Sequence, residues 1–199
     1  MLNMDESPVW FEMPGKSTLS KAGEKEVRVS STGHDKEKLT VTLGAYADGT
    51  KLAPLVYLPG VRPPKKKEIP ASVQIIMCGS GKTSWANEDS IMSWLGKLYE
   101  VNNRRRRLLV WDAFRAHITP KVKDAVKTKH NADMTVIPGR CTSKLQPADV
   151  SWNRPFKAKL AELFDEWIFS GPIDRTRLGN RRPPPKTLLL QWIKQVWAT

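Results

Sequence analysis

The stretch RRRRLLVWDAFRAH, residues 104–117, decides the fold. Four arginines lead into an unbroken apolar run, Leu108–Trp111, which ends at Asp112. A continuous apolar run of this length is typical of a buried strand at the centre of a sheet. In open α/β sheets, functional groups gather at the carboxyl ends of the strands. The sequence therefore predicts that Asp112 lies at the functional edge of a sheet.

Upstream of this strand, the sequence predicts a set of antiparallel strands. Residues 26–31 and 39–45 are rich in Val and Thr and partly alternate, which is typical of strands. An Asp-Gly turn at 48–49 separates the second of them from an apolar run over 52–58. Residues 72–77 predict one more short strand. We therefore expect an antiparallel meander on this side of the sheet.

Helical patterns mark four further segments. In 88–100 and 152–169 apolar residues recur at spacings of three and four, which gives each of these two helices one face for a core. Thr119 and Pro120 are typical of a helix N-cap and of the first helical position. A short strand over 134–137 stops at a Pro-Gly turn. The helices are expected over residues 88–100, 119–130, 152–169 and 187–198.

This order of strands and helices predicts an α/β fold, a mixed sheet flanked by helices. We expect a core domain over residues 1–170. The remaining residues, 171–199, form a Pro- and Arg-rich segment followed by the final helix. No internal repeat is evident.

The charge balance predicts a polyanionic partner. The chain of 199 residues has 33 Lys and Arg against 20 Asp and Glu, a formal charge of +13. DNA is the expected partner, an anionic membrane surface is the weaker alternative, and no small-molecule substrate is expected. No apolar run approaches the length of about 20 residues that crosses a bilayer. Only two cysteines are present, which favours a reducing compartment, and together with the basic charge predicts the nucleus.

Three segments each carry an aspartate at the end of a strand-like stretch or in a tight loop before a helix. They hold Asp5, Asp112 and Asp149. Taken singly, each has an ordinary structural explanation, because Asp is common at turns and helix caps. The combination of the three is what indicates a shared site.

The chain resembles the pogo-like DDE superfamily of transposases and their domesticated relatives. The resemblance covers about residues 1–170 and rests on long phrases in the family's order, which are more specific than a short motif. These phrases are NMDESPVWFEMP (3–14), STGHDKEKLTVTLGAYADGTKLAPLVYL (31–58), WANEDSIMSWL (85–95), LLVWDAFRAHIT (108–119) and PGRCTSKLQPADVSWNRPFK (138–157). The resemblance implies a ribonuclease-H-like fold and a DNA endonuclease and strand transferase activity.

The resemblance also implies that Asp5, Asp112 and Asp149 are the catalytic, metal-binding triad. Thirty-six residues separate the second aspartate from the third, which suits the all-Asp version of that triad. Phosphodiester cleavage by two Mg²⁺ ions about 3.5–4 Å apart requires carboxylate ligands, because Mg²⁺ prefers hard oxygen donors. We therefore expect Mg²⁺, or Mn²⁺, as the cofactor.

Several other residues are weaker candidates. Glu6 is either an outer metal ligand or an exposed turn residue. His117 either contacts the scissile phosphate, orients a ligand or is a hydrogen-bonded structural residue. Polar and basic residues that could contact the DNA backbone, or lie in ordinary solvated loops, are Ser143, Lys144, Gln146, Arg104, Arg105, Arg106 and Arg107.

Two features leave the activity open. Only four residues precede Asp5, so the first strand is expected to be truncated. No helix-turn-helix segment precedes the core, so we expect a fragment or a degenerate remnant lacking the DNA-binding module. The alternative is a domesticated, catalytically inactive DNA- or chromatin-binding protein. Assembly into a homo-oligomer on DNA is left open.

Overall fold

Six strands form one sheet in the computed structural model, which describes residues 1–13, 22–23, 32–34, 36–78, 87–98, 106–171, 173–177 and 181–198. In chain order the strands are β1 (Leu2–Trp10), β2 (Lys38–Tyr46), β3 (Leu55–Leu58), β4 (Gln74–Met77), β5 (Arg107–Asp112) and β6 (Ala132–Ile137). Their order across the sheet is β4-β3-β2-β1-β5-β6. The predicted strand over 26–31 lies outside the described residues.

The sheet is mixed, as the sequence predicts. β1 pairs antiparallel with β2 along its whole length, and β2 pairs antiparallel with β3. The β3–β4, β1–β5 and β5–β6 pairs are parallel. The apolar run over 52–58 forms a strand only at Leu55–Leu58, because Pro54 has no N–H to donate to a ladder.

β5 lies inside the sheet, between β1 and β6. Leu109 and Trp111 are completely buried, which confirms the buried strand predicted from the apolar run. Leu108, at the start of that run, is 36 % exposed, so this part of β5 is only partly covered.

Within the described ranges, five α-helices accompany the sheet: α1 (Glu88–Leu98), α2 (Pro120–Thr128), α3 (Thr142–Leu145), α4 (Asn153–Ser170) and α5 (Lys186–Ala198). The hydroxyl of Thr119 accepts a hydrogen bond from the N–H of Val122 at 3.3 Å, which confirms it as the N-cap of α2. The short helix α3 was not anticipated. A π-helical turn, Ala148–Trp152, runs directly into α4.

Helices cover both faces of the sheet. Ile91 and Trp94 of α1 and Val122 of α2 pack with Leu2 and Met4 of β1 in one apolar cluster. On the other face, α4 and α5 pack on the alternate residues of β2 and β3, through Phe156, Leu160, Phe164, Leu189 and Ile193. The boundary after residue 170 stays a prediction. None of the described helices is long and apolar enough to span a membrane.

Candidate active site

Asp5 and Asp112 lie on neighbouring parallel strands. The register pairs Leu2 with Leu109 and Asn3 with Val110, and Asp5 and Asp112 each follow two residues beyond that last pair. The two aspartates line one pocket, and their charges interact. Successive side chains of a strand point to opposite faces of the sheet. Met4 and Trp111, the residues before the two aspartates, pack in the cluster with α1 and α2. Both carboxylates therefore point to the other face, which α4 covers. Asp112 ends β5, as predicted. Asp5 does not end a strand: β1 continues to Trp10 because β2 pairs with it throughout.

Asp149 reaches the same place through the π-helical turn before α4. The side-chain amide of Asn153 donates to Asp5 Oδ2 at 2.6 Å and to Asp149 Oδ1 at 3.0 Å. Asn153 is buried and lies four residues after Asp149, so the two share a helix face. One amide therefore joins a carboxylate of the sheet to a carboxylate of the helical layer.

Asp112 is held by two donors. Its Oδ1 accepts from the N–H of Phe114 at 3.0 Å and lies 2.7 Å from Nδ1 of His117. The other ring nitrogen of His117 lies 3.2 Å from Glu6 Oε1. His117 is completely buried and stacks on Trp111, with ring centroids 4.6 Å apart. The sequence left several roles open for His117, and these contacts match a hydrogen-bonded residue that orients Asp112.

Glu6 is not an exposed turn residue. It lies within β1, its side chain is only 13 % exposed, and it pairs with His117. The other role proposed for Glu6, an outer metal ligand, stays a prediction.

The carboxylates influence each other's ionisation. Burial raises the pKa of Asp5 to about 7, the hydrogen bond from Asn153 opposes the rise, and the charges of Glu6, Asp149 and Asp112 add to it. A buried carboxyl group among other carboxylates is costly to ionise unless a cation neutralises it. Asp5 therefore lies where the negative charge of the site is concentrated.

The pKa of Asp112 is shifted in the opposite direction to that of Asp5. Burial would raise the pKa of Asp112, but the hydrogen bonds from His117 and from the N–H of Phe114 lower it. Burial would likewise lower the pKa of His117, but its bonds to Asp112 and Glu6 raise it to about 9. Both shifts favour the charged forms, a protonated His117 beside an ionised Asp112.

The donor set suits a hard divalent cation. Carboxylate oxygens are the ligands Mg²⁺ prefers, and Asp5, Asp112 and Asp149 provide them from three separate segments. Within the described residues, no three acidic, His or Cys side chains converge closely enough to hold a metal as they stand. Asn153 forms hydrogen bonds with Asp5 and Asp149, and His117 forms one with Asp112. A cation would compete with these hydrogen bonds for the same oxygens.

The polar residues before Asp149 divide by exposure. Ser143 and Lys144 are exposed on α3, whereas Gln146 is buried at 1 % exposure. Their predicted contacts with DNA stay predictions.

The two described arginines of this run, the last before β5 and the first residue of β5, already have partners. Arg106 is exposed and forms an ion pair with Asp133 at 2.6 Å, and Arg107 donates to the hydroxyl of Tyr46 at 2.8 Å. Arg104 and Arg105 lie outside the described residues. Contact of this run with DNA stays a prediction.

Sequence reasoning missed two asparagines that organise the site. Asn153 follows Asp149 by one helical turn, and Asn3 precedes Asp5 by two residues on the same face of β1. Both spacings are legible in the sequence, and asparagine beside a carboxylate at such a spacing is the signal that could have found them.

Comparison with known structures places the fold first. The Mos1 strand transfer complex superposes with a TM-score of 0.52 at 16 % identity, over 100 % of this chain and 47 % of that chain. The Mos1 transposase paired-end complex with left transposon end gives the same TM-score at 14 % identity, over the same shares of the two chains. The fold is thus ribonuclease-H-like, with a mixed sheet between helices, as the resemblance implied.

The family follows from sequence. The model of the DDE superfamily endonuclease family matches residues 36–199, and the chain belongs to that family. The matched range starts after β1, so Asp5 lies outside it.

The similar curated proteins are named as pogo transposable elements. The human and mouse proteins named "Pogo transposable element with KRAB domain" are each 34 % identical over 201 residues, which is 99 % of this chain and 32 % of theirs. The human "Pogo transposable element with ZNF domain" is 29 % identical over 152 residues, 74 % of this chain and 10 % of that protein. The pogo-like DDE resemblance is confirmed, and the chain spans about a third of the first two relatives.

Proposed function

We propose that this chain is the catalytic core of a metal-dependent DNA endonuclease and strand transferase. The observation that carries the proposal is that Asp5 of β1 lies within electrostatic reach of Asp112 of β5 and of Asp149 in the π-helical turn. Asp5 and Asp149 also share the side-chain amide of Asn153. The family of the chain and its ribonuclease-H-like fold support this function.

Asp5, Asp112 and Asp149 would hold Mg²⁺ or Mn²⁺. When bound, a metal pair of this kind supplies an activated water and charge stabilisation for the leaving oxygen. The protein contributes orientation. His117 fixes one oxygen of Asp112, Glu6 fixes the other side of the His117 ring, and Asn153 holds the carboxylates of Asp5 and Asp149 at hydrogen-bond distance from one donor.

The substrate we propose is DNA at the ends of a transposable element. A formal charge of +13 favours a nucleic-acid partner, and the two Mos1 structures are complexes named for strand transfer and for a transposon end. Action on chromosomal DNA would place the protein in the nucleus. A fluorescent fusion that stays outside the nucleus would contradict that location.

The direct test is metal-dependent cleavage of branched and element-end DNA. The parent should give product with Mg²⁺ or Mn²⁺ and none with EDTA. Asp112→Asn should lower the rate by about a hundredfold or more, because it removes a charged ligand. Asp124→Asn, an exposed aspartate of α2, is the matched control and should cut like the parent.

DNA binding must be measured beside cleavage. A folded parent that binds DNA but yields no metal-dependent product would overturn the proposed activity. It would leave the inactive DNA- or chromatin-binding protein as the remaining reading.

A further inference from the structure

Asn3 is a buried amide that touches all three segments of the candidate site. It lies on β1 two residues before Asp5 and is 2 % exposed. Its Nδ2 donates to the carbonyl of Val110, two residues before Asp112, at 2.7 Å. Its Oδ1 accepts from the N–H of Ala148, the residue before Asp149, at 3.0 Å.

This amide lies where the backbone pairing between β1 and β5 ends. The described β1–β5 pairing comprises only Leu2 with Leu109 and Asn3 with Val110, so the ladder ends at Asn3. The carboxylates follow directly beyond that end. The bond to Val110 is therefore the last tie between the two strands before Asp5 and Asp112.

The second bond fixes the helical layer. Ala148 opens the π-helical turn, and its N–H belongs to the first turn, where backbone donors have no partner within the helix. Asn3 satisfies that donor from the sheet. This contact ties the turn that carries Asp149 to β1.

We propose that Asn3 is a positioning residue that assembles the three-aspartate metal site by clamping β5 and the π-helical turn to β1. The proposal rests on the proposed function, because it assigns the clamp to a metal site. It acts through backbone groups and requires no contact between Asn3 and the metal or the DNA. Partners of this kind typically change metal affinity by about 10- to 100-fold when removed.

The test uses Asn3→Ala with two readouts. Hydrogen exchange at the amide of Ala148, followed by NMR on the metal-free chain, should become at least about tenfold faster, because its acceptor is gone. The affinity for Mn²⁺, measured by calorimetry without DNA, should fall by about tenfold or more. If Asn3→Ala does not fold, Asn3→Ser replaces it, since serine is too short to reach both partners, and the same results are expected.

Ser90→Ala is the matched control. Like Asn3, Ser90 is buried and makes two bonds to backbone groups: it accepts from the N–H of Asn87 at 2.6 Å and donates to the carbonyl of the same residue at 2.7 Å. It belongs to α1, which packs on the face of the sheet opposite the three site aspartates. This variant should leave both the Ala148 exchange rate and the Mn²⁺ affinity as in the parent.

The outcomes separate the two proposals. Unchanged exchange at Ala148 in Asn3→Ala, or an equal loss of Mn²⁺ affinity in Ser90→Ala, overturns the role of Asn3. A parent that binds no Mn²⁺ and cuts no DNA overturns the proposed function itself, and the assignment of the clamp to a metal site with it.

Discussion

At the residue scale, the side-chain amide of Asn153 lies between two carboxylates of the candidate site. Its Nδ2 serves two carboxylates, while its buried Oδ1 has no hydrogen-bond partner among the described residues. A neutral donor between two acids offsets their repulsion only partly, which is consistent with the raised pKa of Asp5. The amide of Asn153 thus links the two carboxylates but offsets their repulsion less than a bound cation would.

Removal of that amide should destabilise the metal-free protein. Asn153→Ala should lower the free energy of unfolding by about 1–3 kcal/mol, because hydrogen bonds to charged groups are lost from a part-buried site. Urea unfolding in EDTA at pH 8 measures this loss. Lys157→Ala, on the exposed side of the same helix, should change stability little, and an equal loss there would contradict the prediction.

The ionisation of His117 predicts a pH dependence of stability. Its pKa is about 9 in the folded state against an ordinary 6.5, so its charged form favours the fold. This contribution is fully present below pH 6.5 and is lost as the pH rises through 9. Its size is of the order of 3 kcal/mol, at about 1.4 kcal/mol for each pKa unit.

Asp5 acts in a different pH window. Its folded-state pKa of about 7 lies above the ordinary 3.8, so its contribution to the free energy of unfolding falls between pH 4 and 7 and is constant above that range.

Denaturant unfolding of the parent and of His117→Gln from pH 7 to 9.5, where the contribution of Asp5 is constant, measures the contribution of the histidine. If both proteins lose stability equally over that range, the assignment to His117 is wrong.

At the element scale, the approach to α4 is a wide turn, and the sequence gives a reason for it. Pro155 has no N–H and cannot bond to the carbonyl four residues earlier, which favours a local departure from α-helical spacing. The departure is the π-helical turn Ala148–Trp152, and it carries Asp149. Such turns are frequent at functional sites.

The N-terminus of α2 gives the element-scale prediction. Thr119→Ala should lower stability by about 1 kcal/mol, since the cap bond to Val122 is lost. Thermal or urea unfolding measures the change. Thr128→Ala, at the far end of α2, removes only an exposed bond to the carbonyl of Asp124 and should cost less. A larger loss at Thr128 would contradict the capping argument.

At the scale of the whole molecule, the excess of basic residues predicts salt-dependent association with DNA. Each phosphate that Lys or Arg neutralises adds about −0.9 to the slope of log K against log salt concentration. Fluorescence anisotropy from 50 to 200 mM salt should therefore give a steep linear decrease in affinity. Asp112→Asn should leave this slope unchanged, since it alters the cleavage site only. Binding that does not respond to salt would contradict the electrostatic interpretation.

Much of the fold was legible in the sequence because local patterns specify it. The apolar run before Asp112 specified a buried strand, the cap at Thr119 specified the start of α2, and the spacing of Phe156, Leu160 and Phe164 specified the buried face of α4. These features depend on hydrophobic periodicity and backbone donors within a few residues of one another, so they need no knowledge of distant contacts.

The family resemblance brought Asp5, Asp112 and Asp149 together as a proposed set, and residue types alone specified a hard-cation chemistry for it. What only the tertiary structure decided is the arrangement around them: the parallel pairing that ends two residues before Asp5 and Asp112, the amide of Asn153 between two acids, and the clamp at Asn3. Apart from the bond between Asn153 and Asp149, these contacts join residues more than a hundred positions apart. The local spacing can mark the two asparagines as candidates, but strand register and side-chain packing decide which distant groups they contact.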